Sequence, residues 1–327
     1  MADFVTIVVP TLNEELHIEQ CLRGLLDDPY PRDHLEVLVV DGGSTDATVA
    51  IAERFAAELP LVRVVHNPGR FQSAAFNLAL RVADDRATCL LRCDAHALYP
   101  PGFVSRAVET LERTGAAMVG FPVVATAESP FQAAVAFAQT TRVGIGGSAY
   151  RVGGKSGWVE SAMHGCFSRK AVEAVGGYDE TVAYNEDAEL SLRLQAVGGV
   201  WLDEELRVGL LSRPSLGGLT RQYFFYGRGR AATVVTHRQR PHPRQLAPPA
   251  LVIWHTILLL LGIRRRALLV PIGAYLAALT GVSAFGAARR REPALLASPV
   301  ALATMHHAWG GGFIVGLCES LSRTGGL

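Results

Sequence analysis

Along the first 125 residues, short apolar runs alternate with amphipathic stretches. Val5–Val9, Glu36–Val40, Leu61–His66, Thr88–Cys93 and Ala116–Val124 read as strands. Between them, Glu14–Leu26, Asp46–Leu59, Gln72–Ala83 and Pro101–Thr114 repeat apolar residues at the 3.6-residue period of helices. The βαβα order predicts an α/β fold with a mostly parallel sheet covered on both faces. Ligands of such sheets bind beyond the carboxyl ends of the strands. The residues just after each strand are therefore the candidates for chemistry.

Residues 126–160 are less regular and carry Gly144, Gly146, Gly147, Gly153, Gly154 and Gly157, which suit either plain turns or a loop over the site. Beyond them the pattern predicts a helix over Arg169–Val175, a turn at Gly176-Gly177 and a helix over Glu186–Ala196. From Pro248 onward the pattern changes to apolar segments, Ala250–Ile263, Ala267–Ala288 and Ala294–Cys318. Crossing the hydrocarbon takes roughly 20 residues. The second and third segments are long enough; the first is short and suits an interfacial or re-entrant position. Arginines 264–266 and 289–291 flank the middle segment on both sides, so the positive-inside rule does not orient it. A catalytic domain over residues 1–240 followed by a membrane-associated helical tail over 241–327 is expected.

Composition narrows the function classes. A net charge of +1 argues against a nucleic-acid surface built on bulk basicity. Lys155 and Lys170 are the only lysines among 31 basic residues, which disfavours Schiff-base or phosphate-loop chemistry. Five cysteines with no C-x-x-C pair read as reduced thiols, neither a disulfide frame nor a zinc site. The N-terminus opens directly into the strand-like Phe4–Val9 without a basic, cleavable leader, so the catalytic part is expected on the cytoplasmic side of the cell membrane.

Three acidic groups fall where an α/β sheet presents its ligands. Asp41 opens Asp41-Gly42-Gly43-Ser44-Thr45-Asp46, where the glycines permit a close turn and Ser44, Thr45 or Asp46 can cap the next helix. Asp41 suits a hydrogen bond from a nucleobase or ribose as well as a plain strand–turn–helix cap. Asp94 and His96 follow the fourth strand. Residues two apart in extended chain face the same side, so both can address one divalent cation, Mg2+ or Mn2+. A surface turn explains the same pair. In the third group, Asn185-Glu186-Asp187 begins a helix that Asn185 is expected to cap. Asp187 shares a face with Leu190 and Leu194 and should point inward near the positive helix end, while Glu189 and Arg193 pair on a solvated face. Arg221, Arg228 and Arg230 interleave with Gln222, Tyr223, Phe224, Phe225 and Tyr226, fitting either a diphosphate or anionic lipid. His164 and Trp158 fit either an acceptor wall or ordinary packing.

In order and spacing, these motifs resemble the family 2 glycosyltransferases of GT-A fold over roughly residues 4–230. The carriers are Val8-Val9-Pro10-Thr11-Leu12-Asn13-Glu14, Asp41–Asp46, Asp94-Ala-His96, Gly176-Gly177-Tyr178-Asp179-Glu180 and Glu186-Asp187. Arg92-Cys-Asp-Ala-His-Ala97, the stretch Gly144–Arg151 and Arg221-Gln-Tyr-Phe-Phe-Tyr-Gly227 resemble the ExoA-like branch of succinoglycan biosynthesis. The resemblance implies that Pro10, Thr11, Glu14 and Asp41 hold the uridine of a UDP-sugar donor. It implies that Asp94 with His96 holds the metal, that Asp187 is the catalytic base, and that Gln222 and Arg228 close over the diphosphate. Two positions depart from the family pattern. The usual Asp-x-Asp ends here in His96, and an arginine that commonly precedes the asparagine matching Asn77 is Phe76, which leaves Arg70 as the candidate for the diphosphate. The implied activity is inverting transfer of a hexose, glucose favoured, to a lipid-linked saccharide acceptor at the membrane. The rivals are a sugar-1-phosphate nucleotidyltransferase, whose lysine-containing N-terminal loop Pro10–Glu14 lacks, and a non-catalytic nucleotide-sugar-binding scaffold.

Overall fold

The computed structural model describes residues 3–146, 149–182 and 184–324; Gly147 and Ser148 of the glycine-rich stretch lie outside them. Two compact units emerge: Met1–Val124 with Gly153–Leu210, and Ala125–Val152 with Leu211–Leu327. Strands in chain order are β1 (Phe4–Thr11), β2 (Leu35–Asp41), β3 (Val62–His66), β4 (Ala87–Arg92), β5 (Ala97–Leu98), β6 (Met118–Gly120), β7 (Val123–Thr126), β8 (Gly157–Val159), β9 (Gly165–Ser168), β10 (Val200–Leu202) and β11 (Val208–Leu211). The helices of the first unit are α1 (Ile18–Leu26), α2 (Thr48–Glu58), α3 (Gln72–Val82), α4 (Phe103–Thr114), α8 (Arg169–Val175) and α9 (Glu186–Leu194). The second unit holds α5 (Pro130–Thr140), α6 (Arg142–Ile145), α7 (Ala149–Val152), α10 (Leu216–Thr236), α11 (Pro243–Gly262), α12 (Val270–Arg290) and α13 (Ser298–Thr324).

The first unit is built on an eight-stranded sheet of order β3-β2-β1-β4-β9-β6-β10-β8. Neighbours β3, β2, β1 and β4 are parallel, as are β6 and β10; β9 runs antiparallel between β4 and β6. The strands' twofold alternation divides the core between two faces. Val5, Ile7, Val9, Val37, Val39 and Leu91 pack under α1, α2 and α4 through Leu22, Leu25, Ala52, Phe103 and Val104. Val8, Leu38, Val40 and Leu90 pack on the opposite side against Phe76, Val172, Leu190 and Leu194 of α3, α8 and α9. This is the α/β, mostly parallel architecture that the apolar pattern predicts.

Local differences have physical causes. The single strand expected over Ala116–Val124 is two, β6 and β7, because Pro122 between them cannot donate to a ladder. Helix α1 starts at Ile18 instead of Glu14, since Asn13 turns left-handed (φ 58°) and the backbone N–H groups of Glu14 and Glu15 donate to Thr48 and Asp46. Cys21, Cys89, Cys93 and Cys166 are buried free thiols.

In the second unit, α10 and α13 lie backbone to backbone. A Cβ at Gly227 would run into the Trp309 carbonyl, and one at Gly312 into the Phe224 carbonyl, so the small residues set the approach. Leu219, Tyr223, Ala301, Leu302 and Met305 are buried in that packing. The apolar stretch that looked too short to span belongs to α11, which starts at Pro243 and reaches 20 residues. Among the described residues, two helical segments, Pro243–Gly262 and Arg266–Arg290, are long and apolar enough to cross a membrane. The helix over the expected third span is not one of them: His306, His307 and glycines 310–312 dilute its apolar character, and its core face is taken by α10. By contrast Ile253, Trp254, Leu260, Val270 and Phe285 of α11 and α12 are exposed.

Candidate active site

The carboxyl ends of β1, β2 and β4, with α9, gather the acidic groups. At the end of β2, Asp41 faces Thr11 across the ladder. Its Oδ2 accepts the backbone N–H groups of Gly43 (2.9 Å) and Ser44 (3.0 Å), so the carboxylate shapes its own turn. The N-cap of α2 is Ala47, without a side-chain cap, in place of Ser44, Thr45 or Asp46; Asp46 accepts the N–H of Thr48 (2.9 Å) just ahead of the helix. Asn13 ties the β1 loop to that turn by accepting from the Thr45 N–H (2.8 Å) and donating its own N–H to the Ser44 hydroxyl (2.9 Å). Arg70 reaches the same place: its backbone lies so close to Gly42 that a Cβ there would stand 2.9 Å from the Arg70 carbonyl. Arg70 itself is exposed and left-handed (φ 63°), a conformation unfavourable for a side chain of its size. Pro10 is buried in β1 opposite Val40.

Beyond β4, Asp94 and His96 part company. His96 Nδ1 meets Glu14 Oε1 at 2.9 Å and the side chain stays partly exposed. Asp94 is buried, with Oδ2 2.8 Å from His164 Nε2 and Oδ1 3.5 Å from Arg92 Nη2. Burial alone would push this carboxyl up. The charges of His164 and Arg92, with the His164 hydrogen bond, outweigh it and hold the group far below the usual carboxylate range. Oδ1 nevertheless has no hydrogen-bond partner.

Arg92 is the hub. Its side chain is 1% exposed, and Nη1 donates to Asp187 Oδ1 (2.7 Å) and Tyr178 Oη (3.0 Å), while Nη2 donates to Gln72 Oε1 (2.6 Å). Tyr178 Oη also donates to Asp187 Oδ1 (2.7 Å). One guanidinium thus stands between Asp94 from β4 and Asp187 from the first turn of α9. Burial would disfavour its charge, yet Asp187, Tyr178 and Asp94 hold it firmly protonated. Glu186 beside it is raised to about 7, first by burial and then by the Asp187 charge.

The turn that aims Tyr178 is clamped from two sides. Asn77 accepts the Tyr178 N–H and donates to its carbonyl, both at 2.8 Å. Arg193 donates to the carbonyls of Val175 (2.6 Å) and Gly177 (2.7 Å) while forking onto Glu189. Glu189 is buried, so the pair expected on a solvated face is an internal brace. Asn185 is left-handed (φ 66°) and its side chain does not cap α9, contrary to the expected N-cap.

Several residues fall elsewhere or were given no role in the sequence. Gln222 and Arg228 lie on α10 in the helical unit, where Gln222 donates to Tyr226 (3.2 Å) and Arg228 pairs with Glu319 (2.8 Å). Trp158, on the edge strand β8, packs edge-on against Trp201 at 5.3 Å. His164, left open between acceptor wall and packing, sits on Asp94. Arg92, Tyr178, Gln72 and Asn77 complete the network; Arg92 and Tyr178 stood inside motifs, but nothing in their spacing showed a buried cation.

The donor set suits a hard divalent ion. The bare Asp94 Oδ1 is an oxygen that could take such an ion, while His96, two residues on, would have to leave Glu14 to join it. Among the described residues no cluster of three or more His, Cys, Asp or Glu is arranged to hold a metal. The remaining ligands would be substrate phosphates and water, as is usual for Mg2+.

Comparison with known proteins agrees with this architecture. The family model for glycosyl transferase family 2 matches residues 6–175. The succinoglycan biosynthesis protein ExoA of Rhizobium meliloti (strain 1021) is 40% identical over 308 residues, 94% of this chain and 93% of its own. The probable glycosyltransferase YdaM of Bacillus subtilis (strain 168) is 26% identical over 209 residues, 59% of this chain and 47% of its own. In fold, the chain is similar to the mannosyltransferase PcManGT from Pyrobaculum calidifontis, solved with GDP-Man and Mn2+ (TM-score 0.58, 23% identity, covering 98% of this chain and 88% of that one). It is also similar to S. aureus TarS 1-349 solved with UDP (TM-score 0.53, 15% identity, covering 98% and 91%). With a GT-A fold and an ExoA-like sequence along nearly its whole length, the chain belongs to the family 2 glycosyltransferases.

Proposed function

We propose that this glycosyltransferase moves a hexose, glucose favoured, with inversion from a UDP-sugar to a lipid-linked saccharide in exopolysaccharide assembly. The observation that carries the reading is the meeting of Asp94 and Asp187 on one buried guanidinium, Arg92. A carboxylate for the departing diphosphate and a carboxylate for the incoming hydroxyl then flank one reaction centre.

Asp187 takes the proton from the acceptor hydroxyl as that oxygen attacks the anomeric carbon. Arg92 and Tyr178 fix its orientation beforehand. No second carboxylate is needed as nucleophile, which makes the transfer a single displacement. Glycosyl transition states carry oxocarbenium character, so charge on the leaving UDP must be met as it forms. A divalent ion, Mg2+ or Mn2+, on Asp94 and His96 supplies that neutralisation when bound. Pro10, Thr11, Glu14 and Asp41 line the uridine side and Arg70 approaches the diphosphate from the neighbouring loop; the family resemblance also assigns Gln222 and Arg228 to the diphosphate. Residues 1–240 form the catalytic part. The tail over 241–327 enters the cell membrane through α11 and α12, whose exposed apolar side chains suit lipid, with catalysis on the cytoplasmic side. The 40% identity to ExoA over nearly the full length supports the exopolysaccharide setting.

A donor screen tests this. Membrane fractions containing the full chain are given labelled UDP-Glc, UDP-Gal, UDP-GlcNAc or GDP-Man with lipid extract. Label should pass from UDP-Glc into the lipid phase. Transfer from GDP-Man alone, or only to water-soluble acceptors, would refute the reading.

A further inference from the structure

We propose that His164 is the positioning residue of Asp94, holding the carboxylate in the one orientation that leaves Oδ1 bare for a divalent cation. The inference rests on the metal-binding reading of Asp94. His164 lies immediately before β9, the antiparallel strand inserted beside β4, and is 3% exposed. An ionised carboxylate oxygen can only accept, so across the 2.8 Å contact the Nε2–H of His164 donates to Oδ2. Nδ1 is buried and has no hydrogen-bond partner. Among the described residues, the polar partner of this ring is therefore Asp94.

Arg92 cannot do the same work. It stands 3.5 Å from Oδ1 without a hydrogen bond, while Nη1 donates to Asp187 and Tyr178, Nη2 donates to Gln72 and Nε has no partner. With Oδ2 fixed by His164, the carboxylate's rotation is stopped and the bare oxygen stays aimed. The strand geometry makes the placement specific. Gly165, the next residue, packs closely on β6: a Cβ there would stand 2.6 Å from the Met118 methyl carbon and 2.9 Å from the Val119 carbonyl oxygen.

The test uses the full-length protein in detergent, stripped of metal and titrated with Mn2+ alone, with the free aqua ion read by electron paramagnetic resonance. His164→Met keeps bulk and removes the donor; His164→Gln returns an N–H at similar reach. Loss of an outer-shell partner typically weakens metal affinity on the order of 10–100-fold. That loss is expected for His164→Met, with the Mn2+ concentration for half-maximal transfer raised by the same factor and kcat at saturating Mn2+ close to wild type. His164→Gln should regain most of the affinity. Equal Mn2+ affinity in all three proteins overturns the proposal. Asp94→Asn separates the two levels: if it lowers Mn2+ binding and His164→Met does not, only the positioning role falls. If Asp94→Asn changes nothing, or the wild type binds no Mn2+, the metal reading falls and the proposal with it. Should His164→Met fail to fold, His164→Asn, whose amide is too short to reach, replaces it against His164→Gln, and equal affinities again overturn the proposal.

Discussion

Replacing Arg92 by methionine is the sharpest perturbation of this fold, because it removes a buried guanidinium from a cluster of buried acids. The side chain is 1% exposed and its closest ionic contact is the 2.7 Å bond to Asp187. A buried pair gains little over an apolar replacement of both partners, but breaking it from one side leaves an uncompensated charge and costs about 3–5 kcal/mol. Asp187 keeps the Tyr178 hydroxyl, and Asp94 keeps His164, which places the expectation near the lower figure. At roughly 2–4 °C per kcal/mol for a domain of this size, the melting temperature should fall by roughly 6–12 °C. Thermal unfolding of the detergent-solubilised full chain in EDTA, followed by tryptophan fluorescence, measures it. The companion variant Arg92→Met/Asp187→Asn removes the stranded charge and should melt higher than Arg92→Met alone, a non-additivity expected only of directly coupled groups. A double variant that melts no higher than the single one, or a single variant that melts like wild type, would refute the account of Arg92 as the organising charge.

Other outcomes follow from the same geometry. Asp187→Asn should retain UDP-sugar binding while transfer drops by about 10²–10⁴-fold, measured as kcat against donor Kd; unchanged turnover rules Asp187 out as base. Treatment with EDTA, or Asp94→Ala, should abolish transfer, and full activity in EDTA refutes the metal assignment. For Glu186, the ordinary value of 4.5 rises to about 7 in the fold, so between those pH values the folded state keeps a proton that the unfolded chain has released. Stability should therefore fall as pH rises through that window, by about 3 kcal/mol at most, and Glu186→Gln should flatten the fall; parallel wild-type and variant melts from pH 4.5 to 8 in EDTA would sink the idea.

Much of the fold was legible because β1, β2 and β4 are buried almost throughout and so read as largely apolar runs. The rim rule then pointed to the right neighbourhood, since it needs only the strand ends. What the sequence hid was contact between elements distant along the chain. Arg92 closes an apolar strand, and an arginine at a strand end ordinarily reads as solvated; its burial depends on Gln72, Tyr178 and Asp187 converging from α3, the α8–α9 turn and α9. His164 was obscured differently. Strands β8 and β9 are short, rich in glycine and serine nearby, and β9 is antiparallel within a mostly parallel sheet, so no period announces them. Glu189 and Arg193 fit the spacing of a surface pair, and only the carbonyls of Val175 and Gly177 turn that pair into a brace.

The charges in this cluster also bear on why a sugar–nucleotide site should be built from so many acids. Asp94 and Asp187 share one guanidinium, and Glu186 relieves the excess by holding its proton to about pH 7. A donor diphosphate brings further negative charge to a rim that already has a surplus, and like charges at these distances repel even when screened. A divalent cation on the bare oxygen of Asp94 would reverse that balance, because it would attract the diphosphate and the carboxylate together. Arg92 does not substitute: it is buried, stands 3.5 Å from the Asp94 oxygen, and its Nη groups donate to Asp187, Tyr178 and Gln72. The acids that hold the network together are thus also the reason donor binding and metal binding should depend on each other.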